Sequence, residues 1–178
     1  MALSDAQVRE LLSHVRNPIH RGCFSLMYAC GLRVGEAANL PISAIDKANL
    51  VLKVIGKGNK ERLVLLPQPM IESLRGVWRI HRNPLWLFPN SKNTGPLDRG
   101  TLCYTFWDVA KRADIKGATS HSLRHSYATR LLEKEFQPRV VQILLGHADI
   151  GTTSKYQHLT EPTKASLRGV LDKLMTGL

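Results

Sequence analysis

Cysteine is scarce and unpaired in this sequence: Cys23, Cys30 and Cys103 are an odd number with no repeated spacing. That pattern excludes a disulfide framework and a cysteine zinc site, and it fits a reducing cytoplasm. Cys23 and Cys30 fall on one expected helix and read as small core residues. No apolar run is long enough to span a bilayer, and the opening MALSDAQVRELL carries an acid where a signal peptide has its apolar stretch. The expectation is a protein neither secreted nor inserted in a membrane. HEXXH is absent, and the GKG at 56–58 neither completes GxxxxGK[ST] nor leads into a helix. Zinc hydrolysis and ATP use therefore have no support, and no cofactor or metal is expected. Internal repeats and low-complexity segments are missing as well. Acidic residues are the last shortage: 14 Asp and Glu stand against 25 Lys and Arg, a net charge of +11. Such an excess favours a polyanionic partner, because neutralising phosphates releases condensed counterions; the plain alternative is a basic protein with no such partner.

What is present suits one compact domain. A chain of 178 residues with 43% hydrophobic residues can bury a sizeable core. Ser4 and Gln7 make a capping box, and Val8, Leu11, Leu12 and Val15 recur at helical spacing behind it. Pro18 can open a second helix, which Gly31 ends. A short helix from Arg33 to Asn39 follows and is stopped by Pro41. Between Asn49 and Pro67 the period changes: NLVLKVI and RLVLL flank the polar, Gly-rich GKGNKE and read as a β-hairpin, preceded by a short strand near Ile42 to Ile45. Helical spacing returns from Pro69 to His81, and LWLF at 85–88 is a short extended piece. PNSKNTGPLDRG reads as a surface loop. Leu102, Phe106, Val109 and Ala110 mark another helix with Asp98 or Thr101 near its start. Ser120 is placed to cap a helix from His121 to Glu133. Pro138 opens Arg139 to Leu145, apolar over most of its circumference and so expected inside. Thr160 and Pro162 start a last amphipathic helix with Leu167, Val170, Leu171 and Leu174. The fold class is mainly α with one small antiparallel sheet.

Several polar residues stand where phosphate chemistry needs them. His121 and Arg124, three apart on one helix face, can address one small anion, and the planar Arg fork can hold two oxygens at once. His147 follows Gly146 at a helix end, where a left-handed Gly sets the direction of the next residue; it is otherwise an ordinary loop histidine. Tyr156 is a candidate nucleophile, since surrounding cations favour the phenolate over a neutral phenol with a pKa of about 10. Arg33 follows the Gly31 turn with Glu36 one helical turn on, either a held catalytic cation or a surface ion pair worth little. Lys57 lies between glycines in the hairpin turn and is either a mobile proton donor or a lysine touching DNA backbone. Lys60 and Arg62 share that ambiguity and are taken as DNA-binding. His125 lacks a third ligand for a metal and is read as a support that packs or orients its neighbours.

The ordered set GLRVGE, GKGNKER, HSLRH, LLGH and Tyr156 resembles the catalytic domain of the tyrosine recombinase (phage integrase) family over nearly the whole chain. The resemblance implies that Arg33 and Arg124 clamp the scissile phosphate, that His121 and His147 hydrogen-bond it, that Lys57 protonates the leaving 5′ oxygen, and that Tyr156 forms a 3′-phosphotyrosyl bond. It implies no cofactor. It also implies a double-stranded DNA recombination site as partner, assembly with other protomers into a tetramer on DNA, and a monomer without DNA. Residues 1–178 would be the catalytic domain alone, lacking the amino-terminal helical domain that completes the family's clamp around DNA. Site-specific recombination is the implied activity. A type IB topoisomerase-like relaxation of supercoils and a non-catalytic DNA-binding regulatory module of the same fold are the alternatives, and an intact catalytic set argues against the module.

Overall fold

In the computed structural model the described residues are 1–146, 159–176 and 178. Helices α1 (Asp5–Ser13), α2 (Pro18–Cys30) and α3 (Val34–Ala38) come first. Strands β1 (Ile45–Asp46), β2 (Val51–Ile55) and β3 (Glu61–Leu65) follow, then α4 (Gln68–His81), α5 (Arg99–Arg112), α6 (His121–Glu133), α7 (Pro138–Leu145) and α8 (Glu161–Leu174). Local chemistry sets most boundaries. The capping box forms as read, with Ser4 accepting from the Gln7 amide at 3.2 Å and the Gln7 side chain accepting from the Ser4 amide at 2.9 Å. Asn17 caps α2, Pro18 occupies its first turn, and Gly31 closes it with φ +65°. A Cβ on Gly31 would lie 2.5 Å from Cδ1 of Tyr127, so α6 packs against the α2 terminus only because glycine is there.

The strands form one antiparallel sheet in the order β1-β2-β3. Pairing sets Val51 opposite Leu65, Leu52 opposite Val64 and Val54 opposite Arg62. Because side chains alternate across a sheet, its two faces feed two apolar cores. Leu52, Val54 and Val64 join the larger core with residues of α1, α2, α4 and α5. Val51 and Leu65 join a smaller core with Tyr127 and Leu131 of α6, Val141, Leu144 and Leu145 of α7, and Leu167 and Leu171 of α8. Helix α6 spans both, since Leu123 lies in the larger core one turn before Tyr127. The cysteines Cys23 and Cys30 are fully buried core residues, as expected, and burial pushes both thiols up.

Three expectations need correction. The strand expected near Ile42 to Ile45 is a 3-10 turn over Ile42–Ala44, closed by the Ala44 amide on the Pro41 carbonyl at 3.1 Å, and only Ile45–Asp46 pairs as strand. Ser120 precedes α6 but makes no capping bond, because its backbone is already helical at φ −55° and ψ −28°. Ser122 does that work from inside the helix, its hydroxyl accepting from the Thr119 amide at 3.1 Å. Helix α7 is amphipathic rather than internal: Val141, Leu144 and Leu145 are buried while Arg139 and Gln142 are exposed.

Candidate active site

A cleft of about 680 Å³ opens where α3, the β2–β3 hairpin and the starts of α5 and α6 converge. Arg33, Lys57 and His121 all line it, joined by Glu36, Lys53 and Arg99. Each arrives by local structure. Arg33 is the residue before α3, extended at φ −72° and ψ 150° immediately after the Gly31–Leu32 turn. Lys57 opens the turn between β2 and β3, whose tip Gly58 adopts φ +75°. His121 is the first residue of α6 and is exposed.

Glu36 organises the cations. Its Oε2 accepts from the Arg33 backbone amide at 2.8 Å and its Oε1 from Arg33 Nη1 at 3.0 Å, a closed ring within one helical turn. The same carboxylate takes both terminal nitrogens of Arg62, at 2.6 and 2.9 Å. Burial alone would raise the Glu36 pKa, but the hydrogen bonds and charge of Arg62 and then Arg33 outweigh it and hold the carboxyl below its usual range. The Arg33 side chain remains 40% exposed toward the cleft whereas that of Arg62 is 4% exposed. Arg62, expected from the sequence to bind DNA, is thus buried against Glu36 and does not line the cleft. Its place opposite Val54 and in phase with Val64 turns it to the larger-core side of the sheet, where the Glu36 carboxylate compensates its charge.

Arg124, half-buried one turn along α6 from His121, donates from Nη1 to the Gly31 carbonyl at 2.6 Å and from Nη2 to the Leu145 carbonyl at 2.7 Å. Those acceptors belong to the C-terminal ends of α2 and α7, the negative ends of their dipoles. Two of its five N–H donors are thus spent on holding the group in place, and the other three make no hydrogen bond among the described residues. Its pKa falls to about 10, first from burial and then from the like charges of Arg33 and Arg62. Arg33 and Arg62 thus share the Glu36 carboxylate, Arg124 feels the charge of all three, and the cleft that Arg33 lines adds Lys53, Lys57 and Arg99. An anion placed there supplies the missing counter-charge.

The other expected residues divide. Lys60 is exposed beyond the hairpin turn and does not line the cleft. His125 is also exposed and makes no hydrogen bond among the described residues. His147 and Tyr156 lie outside the described residues. Lys53 and Arg99 were missed. The alternation of VLKVI signals Lys53, which shares the outward phase with Ile55; Arg99 stands beside the cap residue Asp98, a start position that marks the helix but not its direction toward the cleft. No group of three or more His, Cys, Asp or Glu among the described residues can hold a metal ion, and no described helix is long and apolar enough to cross a membrane.

Comparison with known proteins places this geometry. The family model described as Phage integrase family matches residues 2–162. The chain is similar to tyrosine recombinase XerD of Proteus mirabilis, with 41% identity over an alignment of 170 residues and coverage of 88% of this chain and 54% of that protein. In three dimensions it resembles the integrase from mycobacterium phage Brujita, with a TM-score of 0.77, 25% identity, and coverage of 98% of this chain and 57% of that one. It also resembles XerH site-specific recombinase bound to palindromic difH substrate in a post-cleavage complex, with a TM-score of 0.72, 27% identity, and coverage of 93% and 51%. The chain spans about half the length of the curated relatives it matches. The expected fold class, mainly helical with a small antiparallel sheet, is the fold these neighbours share.

Proposed function

This chain belongs to the phage integrase family, and on that premise we propose that it cleaves and rejoins DNA strands in site-specific recombination. The observation that carries the reading is the pairing of Arg33 and Arg62 on the Glu36 carboxylate, with Arg124 held near enough to feel their charge, next to a cleft lined by Arg33, Lys57 and His121. A phosphodiester entering that cleft meets fixed donors before reaction begins, which stabilises the charge that builds on phosphorus. Arg33 and the remaining donors of Arg124 hold the non-bridging oxygens, with His121 and His147 hydrogen-bonding the same group. Tyr156 oxygen attacks phosphorus and loses its phenolic proton, and the bond to the 5′ oxygen breaks as Lys57 protonates that leaving oxygen. A 3′-phosphotyrosyl link results, and attack by a 5′ hydroxyl reverses it without any external energy source. Duplex DNA is the substrate, in keeping with the substrate-bound state of the XerH structure. Protomers assemble on DNA as a tetramer and separate without it. Residues 1–178 act as the catalytic domain.

The test is covalent capture. A pool of nicked duplexes of randomised sequence is incubated with the chain, the trapped DNA is sequenced, and the recovered site is used for quantitative assays. The expected result is a denaturation-resistant protein–DNA adduct that Tyr156→Phe abolishes while binding persists. An adduct formed equally by Tyr156→Phe would overturn the assignment of the nucleophile, and no adduct with any sequence would overturn the reaction.

A further inference from the structure

The sequence sets Arg62 among the DNA-facing lysines of the hairpin, yet the folded chain buries it and surrounds it with parts of the cleft. Its two terminal nitrogens occupy both oxygens of Glu36, the carboxylate that holds Arg33. A Cβ added to Gly56, the residue before Lys57, would stand 3.4 Å from Glu36 Oε1 and 3.5 Å from Arg62 Nη1, so the start of the turn rests directly on the ion pair. Gly146, the residue before His147, lies on the other side. With φ +65° it has its backbone against the Arg62 stem, and a Cβ there would collide with Cδ and stand 2.8 Å from Nε. That Nε is buried and has no acceptor among the described residues. Arg62 therefore binds the holder of one cleft residue, Arg33, and lies beside the chain neighbour of another, Lys57, on a separate element.

We propose that Arg62 is a positioning residue of the cleft: through Glu36 and Gly56 it sets Arg33 and Lys57 relative to one another, without itself touching DNA. The inference rests on the reaction proposed above. Its physical basis is the planar fork, which fixes the Glu36 carboxylate in angle as well as distance; a lysine ammonium meets the carboxylate as a point charge and leaves it free to rotate. Rotation of Glu36 displaces Arg33, and a misplacement of about 1 Å in a reacting constellation costs on the order of a hundredfold in rate.

The test compares wild type with Arg62→Lys, and with Arg62→Gln should the lysine variant fail to fold, at a temperature where thermal melts show each fully folded. Three readouts are taken on the captured DNA site: the single-turnover cleavage rate constant, the DNA affinity with its salt dependence, and the nitrogen NMR signals of the Arg33 guanidinium in the free protein. Positioning predicts a rate constant lowered about 10- to 100-fold, unchanged affinity and salt slope, and Arg33 signals averaged by new motion. A salt slope reduced by about one, with affinity lost, would make Arg62 a phosphate contact and overturn the inference. So would wild-type cleavage together with unaltered Arg33 signals. Failure of the wild-type chain itself to form an adduct would instead sink the reaction and the inference with it.

Discussion

The two faces of the sheet bury the same kinds of side chain, but they differ in what reaches them. The larger core is assembled from α1, α2, α4 and α5 and admits a charged pair at its margin, Arg62 on Glu36, through the β3 position opposite Val54. The smaller core is closed by α6, α7 and α8 with aliphatic residues and Tyr127. The candidate cleft is lined from α3, the hairpin and the starts of α5 and α6. Arg124 ties the two sides together by donating to a carbonyl of each, Gly31 on the larger side and Leu145 on the smaller. Arg124 is therefore placed by the meeting of the two sides, whereas Arg33 is held by Glu36 on the larger side alone. An interior that is closely packed holds each helix end to a fraction of a side chain, and helix ends supply the unpaired carbonyls that an arginine can use.

The largest effect is expected from breaking the charge at that margin. Glu36→Ala strands the buried Arg62 guanidinium and should lower stability by about 3–5 kcal/mol, read from chemical denaturation; a loss below 1 kcal/mol would mean that water reaches Arg62. The same pair gives a pH dependence. Because the folded Glu36 pKa is depressed, its contribution is complete above the unfolded glutamate value of about 4.3 and disappears as pH falls through the lower folded value. Wild type should therefore lose stability across that acidic window more steeply than Glu36→Gln, whose curve lacks this titration; parallel curves would contradict the direction of the shift.

A second prediction separates the cores. Leu171→Ala, in the smaller core, should cost about 2–5 kcal/mol and should raise hydrogen exchange first in α7 and α8, leaving the amides of α2 and α4 protected. Uniform loss of protection would mean that the two cores unfold as one unit. The smallest effect belongs to Ser122→Ala, which removes the bond to the Thr119 amide and should cost about 1 kcal/mol. Ser120→Ala should cost less at the same helix start, because Ser120 makes no capping bond; a reversed order in thermal melts would restore Ser120 as the cap.

Much of this architecture was legible because its causes are local. A capping box, a proline in a first turn and a glycine after a last turn each act within a few residues; α1, α2, α4 and α8 begin, and α2 ends, close to where those signals put them. The pairing of Arg33 with Glu36 was legible for the same reason, since both sit within one turn. The burial of Arg62 was not legible because its partner is 26 residues away on another element. In a stretch as basic as GKGNKER nothing marks one cation as inward, although alternation with Val64 puts Arg62 in core phase. Lys53 and Arg99 went unnoticed because a lysine in a strand and an arginine at a helix start are ordinary on any surface.

By itself, then, the sequence determined where the helices and the hairpin start and stop, how much positive charge the chain carries, and which ordered motifs tie it to a family. Folding alone decided how those cations divide: Arg33, Lys53, Lys57 and Arg99 onto one cleft, Arg62 beneath it, and Arg124 across the join. The reason is range. A backbone hydrogen bond at a helix end is satisfied by near neighbours in the chain, whereas a charge is buried or displayed according to which distant carboxylate or carbonyl the packed chain brings to it.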